Sequence, residues 1–122
     1  MNAKLKGDIA EHAVILQALQ RGWGVLNPVG DRLPYDLAFD TGHNLLKVQV
    51  KSAWYDSKKG NYVVDNRRTK TNRRRMVREN YKADDFDFAI VFIEELSVFY
   101  IFPGDVFNSY GLEIHLVESE KR

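Results

Sequence analysis

Cysteine is absent from the 122-residue sequence. That excludes disulfide scaffolds, thiol nucleophiles and cysteine-based zinc sites, and with them zinc-ribbon and deaminase-like chemistry. Histidine is scarce: His12, His43 and His115 stand apart and form no HExxH or HNH arrangement, so core or turn positions are expected for them. There is no GxSxG elbow and no Walker loop either. No apolar run approaches the ~18 residues of a membrane helix, and Met1 to Lys4 lack the apolar core of a secretory signal. A cytoplasmic chain without a membrane partner is the expectation. With only three prolines, 44% hydrophobic and 29% charged residues, the composition is not that of a disordered chain, and the length suits a single domain over residues 1–122.

A net charge of +1 hides a strong asymmetry. Between Lys51 and Lys82 eleven basic residues meet only Asp56, Asp65 and Glu79, a net of +8, while the rest of the chain carries −7. Arg outnumbers Lys there, and Trp54, Tyr55, Tyr62 and Tyr81 are interleaved. Cations neutralise phosphate and aromatic rings stack or pack on sugars, so the segment reads as a nucleic-acid footprint, with a solvated loop as the plainer alternative. The candidate contacts are Lys58, Lys59, Arg67, Arg68, Lys70, Arg73, Arg74, Arg75 and Arg78.

Helical spacing of Leu5, Ile9, His12 or Ala13, Leu16 and Leu19 predicts an amphipathic helix from Ala3 to about Arg21, ended by Gly22. A strand is expected over Gly24 to Pro28, then a turn at Gly30, Asp31 and Pro34. Asp36 to Asp40 and Leu45 to Ser52 read as a hairpin around Thr41-Gly42-His43-Asn44. Ala53 to Asp56 and Asn61 to Val64 form a small ribbon about Lys58-Lys59-Gly60. Arg67 to Arg75 has too few apolar anchors for assignment, and Glu79 to Tyr81 suggests a short helix. Phe88 to Ile93 reads as a central strand buried on both faces and Ser97 to Phe102 as another. A helical turn over Val106 to Tyr110 and an edge strand over Leu112 to Val117 complete the expectation.

Centring the hairpin between Gly42 and His43 sets Asp36 opposite Gln49. The two-residue period then groups Leu37 and Phe39 with Leu46, Val48 and Val50 on one face. Asp36, Ala38 and Asp40 join Lys47, Gln49 and Lys51 on the other. A solvent-facing sheet gives the same pattern, but Lys51 opens the basic segment, which would bring phosphate beside a carboxylate. Such a grouping suits metal-assisted phosphodiester hydrolysis, in which oxygens hold a hard divalent ion and an ammonium stabilises developing charge. Asp36 offers the carboxylate, Gln49 an amide oxygen, Val50 a carbonyl and Lys51 the ammonium. Glu11, on the flank of the helix, is either a further acidic ligand or an ordinary exposed glutamate.

These landmarks, Gly7-Asp8-Ile9-Ala10-Glu11, Pro34-Tyr35-Asp36 and Gln49-Val50-Lys51-Ser52, resemble the PD-(D/E)XK nucleases over Lys6 to about Ile93. The resemblance implies an α/β fold with a restriction-endonuclease-like core (helix, three strands, helix, strand) and a mixed central sheet. It is most similar to the small homing endonuclease of cyanobacterial group I introns, and less so to archaeal Holliday junction resolvases. That implies a site-specific double-stranded DNA endonuclease using Mg²⁺ and working as a homo-oligomer, dimer or tetramer, in intron homing. Glu11, Asp36, Gln49 and Lys51 would be catalytic, and Asp36, Gln49, Val50 and Glu11 would hold the metal. The sequence departs from the pattern twice: Tyr35 separates Pro34 from Asp36, and Gln49 stands where Asp or Glu is usual. Either Glu11 compensates for the missing charge or the nuclease is weakened or retired; because Gln is tolerated there in active members, activity is expected. A structure-selective junction resolvase and a non-catalytic DNA-binding module are the alternatives.

Overall fold

Asn2 opens the first helix, α1 (Ala3–Gln20), by accepting the Lys4 and Leu5 backbone N–H groups on its side-chain oxygen at 2.7 and 3.2 Å. The computed structural model describes residues 2–65, 67–71, 76–82, 84–110 and 113–116. Gly22, at φ 78°, ends α1 as expected: its N–H donates to Leu19 O and the Trp23 N–H to Ala18 O, closing a Schellman motif. The buried face of α1 differs from the predicted one. Ala10, Val14 and Ala18 are buried, whereas Leu5, Leu16 and Leu19 are each at least half exposed. Small side chains let the helix backbone lie close to the sheet, and the larger leucines do not fit in that gap.

Beneath α1 lies a five-stranded sheet in the order β1 (Gly24–Leu26), β2 (Leu37–Asp40), β3 (Leu45–Ser52), β8 (Phe88–Ile93), β9 (Val98–Pro103). All neighbours run antiparallel except β3 and β8, which are parallel, so the sheet is mixed as the resemblance implied. Leu37, Phe39, Val48, Val50 and Phe92 pack under α1. On the opposite face Ala89, Val91 and Ile93 join a second core with Ala53, Val64, Phe86, Phe107 and Ile114. The apolar run of β8 is therefore buried on both sides, as expected for a strand in parallel pairing.

Between β3 and β8 the nuclease pattern calls for a helix, and here the chain differs. Among the described residues that segment forms β4 (Trp54–Asp56), β5 (Asn61–Asp65), β6 (Arg67–Thr71) and β7 (Met76–Asn80). The turn at Lys58 to Gly60 holds, with Gly60 at φ 68°, but β4 and β5 are no isolated ribbon: β10 (Glu113–Leu116) pairs with β5 to make a three-stranded sheet. β6 and β7 form an antiparallel two-stranded ribbon, Arg67 against Asn80 through Thr71 against Met76. Glu79 and Asn80 thus lie in a strand, not in the short helix expected, because cross-strand backbone bonds there override a weak local preference. The helix α2 (Gly104–Ser109) begins earlier than predicted and packs on β8 and β9. No helix among the described residues is long and apolar enough to cross a membrane.

Candidate active site

The hairpin register is the one the turn chemistry predicts. Leu37 faces Val48 and Asp40 faces Leu45, but the paired ladder ends at Leu37: the Asp36 N–H donates to Val48 O at 3.0 Å, one residue out of that register, so Asp36 is not set squarely across from Gln49 as expected and meets it through side chains. One carboxylate oxygen of Asp36, Oδ2, accepts the Val50 N–H at 2.9 Å and the Gln49 Nε2–H at 3.0 Å. Gln49 Nε2 also lies 3.4 Å from Val50 O. Gln49 is buried, 8% exposed, opposite the small Ala89 of β8. Its amide therefore spans the two oxygens, of Asp36 and of Val50, that the sequence nominates as ligands.

Burial holds the Asp36 carboxyl above its ordinary range, outweighing the Val50 N–H and the nearby Lys51 charge, both of which favour ionisation. Glu11, half-buried on α1, is likewise raised, first by desolvation and then by repulsion from Asp36; His12 opposes this and Asp8 adds to it. The structure thus brings Glu11 within reach of the Asp36 charge and leaves both carboxyls desolvated. Lys51 Nζ stands 5.1 Å from the centroid of the Tyr81 ring. Lys47, grouped with Lys51 by alternation, turns elsewhere: its Nζ donates to Asp84 O at 2.8 Å and lies 5.7 Å from the Tyr35 ring centroid.

Among the described residues no three or more His, Cys, Asp or Glu side chains gather as a metal cluster. The donor set is instead two carboxylates, one carbonyl and one amide, all hard oxygen ligands once the amide is turned, since a half-turn about its last torsion exchanges N and O. That donor set, with Asp36 and Glu11 both desolvated, fits a divalent cation.

Lys58 and Lys59 are exposed in the β4–β5 turn, where their N–H groups donate to Asp56 Oδ1 at 3.0 and 3.2 Å. Arg67, Arg68 and Lys70 belong to β6 and Arg78 to β7. Arg73, Arg74 and Arg75 lie outside the described residues. None of the histidines joins the core: His43 sits in the hairpin turn, and His12 and His115 are exposed. Tyr81 was noticed in the sequence only as an aromatic among cations; its contact with Lys51 had no local signal, since the two are distant in the chain.

The family model of the PD-(D/E)XK endonucleases matches residues 1–122. The chain belongs to that family. A solved bacterial homing endonuclease, I-Ssp6803I, is similar to this endonuclease at 65% identity and a TM-score of 0.89, over 100% of this chain and 82% of that one. No curated protein matches. As a member of the family this endonuclease is a nuclease acting on DNA, in a family that generally uses divalent metal ions. The non-catalytic alternative is thereby set aside.

Proposed function

We propose that this endonuclease is a site-specific homing enzyme that hydrolyses phosphodiester bonds of double-stranded DNA with Mg²⁺. The observation that carries this reading is the junction of Asp36, just ahead of β2, with Gln49 and Val50 on β3, and with Glu11 and Lys51 beside it. Asp36, the Val50 carbonyl, the Gln49 amide oxygen and Glu11 would hold the ion. When bound, it polarises the scissile phosphate and acidifies a water. Lys51 stabilises the charge that develops on the phosphate. Homing is supported by the likeness to I-Ssp6803I. Lys58, Lys59 and the basic residues of β6 and β7 supply phosphate contacts, with Arg73, Arg74 and Arg75 between those strands in the sequence. Cutting two strands with one site per chain calls for a homo-oligomer of two or four copies, working in the cytoplasm.

The test is incubation with a plasmid library and Mg²⁺, followed by end mapping. Discrete double-strand cuts at a recurrent sequence are expected. Cuts confined to four-way junctions would replace this reading with a resolvase, and no cuts under any divalent ion would overturn it.

A further inference from the structure

Tyr81 directly follows Asn80, the last residue of β7, and so stands at the foot of the basic ribbon. Its ring is 8% exposed and meets Phe86 edge to face, centroids 5.0 Å apart. Phe86 in turn meets Phe107 at 5.9 Å, and both are buried. This aromatic chain fixes the Tyr81 ring against the second core. Lys51, half-buried, lies at the Tyr81 end of this aromatic chain, its ammonium 5.1 Å from the ring centroid. A lysine carries its charge on a flexible four-carbon stem, and an anchored π face within about 6 Å is a device that holds it.

We infer that Tyr81 is a positioning residue, whose ring holds the Lys51 ammonium beside Asp36 and links the catalytic lysine to the foot of the β6–β7 ribbon. The inference rests on the proposed role of Lys51. Tyr81→Phe keeps the ring and loses only the hydroxyl; Tyr81→Leu keeps apolar bulk and loses the π face. In single-turnover cleavage of a mapped site, Tyr81→Phe should cut within about twofold of the parent and Tyr81→Leu about tenfold more slowly, with DNA Kd unchanged. In a Lys51→Met background Tyr81→Leu should slow cleavage no further, whereas a merely structural tyrosine would slow both backgrounds equally. A readout free of activity is the Lys51 ε-CH₂ resonance in lysine-labelled full-length protein. Ring current should shift it upfield in the parent and in Tyr81→Phe, and Tyr81→Leu should return it to the value of the exposed Lys58 and Lys59. An unshifted parent resonance, or equal slowing in both backgrounds, overturns the inference. Full cleavage by Lys51→Met would instead remove the role of Lys51 itself, a different failure.

Discussion

Asp36 is where the hairpin becomes chemistry, because the same carboxylate that accepts two N–H donors is the only full charge that β3 and the residue leading into β2 contribute to the proposed metal. Asp36→Asn removes that charge with almost no change of volume. Cleavage should be abolished while DNA affinity stays within about tenfold of the parent; single-turnover rates within a few-fold of the parent would reject Asp36 as the central ligand. At Gln49 an amide contributes a dipole where a carboxylate contributes a charge, so the demand for Mg²⁺ should be high. Gln49→Ala should slow cleavage on the order of a hundredfold, as for loss of one preorganised contact. Gln49→Glu should retain cleavage and lower the Mg²⁺ concentration for half-maximal rate, and a Mg²⁺ titration in which all three proteins cut alike would exclude Gln49 from the ligand set. The meeting of Asp36 and Gln49 was legible in the sequence because a four-residue turn and a period of two leave one register that buries Leu37 and Phe39. That the amide nitrogen faces Asp36 was not, since either end of an amide satisfies the same spacing.

Among the elements, legibility followed the presence of a buried face. β8 betrayed itself by an unbroken apolar run, but the inner face of α1 is made of Ala10, Val14 and Ala18, which the larger Leu5, Leu16 and Leu19 outweigh in any count of hydrophobicity. The sequence from Arg67 to Asn80 holds few apolar residues, so the alternation that reveals a half-buried strand is missing, and the ribbon shows itself in its backbone pairing. If that ribbon contacts DNA, log K should fall against log salt with a slope near −9 for a dimer making about ten phosphate contacts. Replacing Arg67, Arg68 and Arg78 by Ala in each copy should make the slope clearly shallower, and an unaltered slope would show the ribbon to be solvated only. A different element is held by contact rather than charge: Gly104 donates to Asp87 O at 2.8 Å, and a Cβ there would overlap the Phe86 carbonyl oxygen. Gly104→Ala should therefore displace α2 and destabilise the fold by about 1–3 kcal/mol in urea unfolding. A variant as stable as the parent would mean that the 86–87 backbone yields freely.

For the molecule as a whole, folding carries Glu11 on a helix and Asp36 at the entry to β2 into one electrostatic neighbourhood, and both carboxyls end above their ordinary range. A raised carboxyl means that the native state binds more protons than the unfolded chain in the interval between the ordinary value and the raised one. Its contribution to stability is complete below the ordinary carboxylate range and is lost as pH climbs through the raised native value. In chelator, then, the ion-free chain should give up part of its stability on passing from about pH 4 to pH 8 through these two groups. Asp36→Asn removes the desolvated charge and relieves Glu11, so the Tm of the variant minus that of the parent should grow over the same interval. A divalent ion acts on the same imbalance from the other side, since it binds the folded site and not the unfolded chain; at a hundredfold excess over its Kd it should add about 2.7 kcal/mol to the parent. Asp36→Asn should gain little from the same addition. Thermal melts of both proteins across pH, in chelator and in Mg²⁺, decide the matter: a constant difference in Tm at every pH would show that Asp36 is not strained by burial, and an equal gain from Mg²⁺ in both proteins would move the metal away from Asp36.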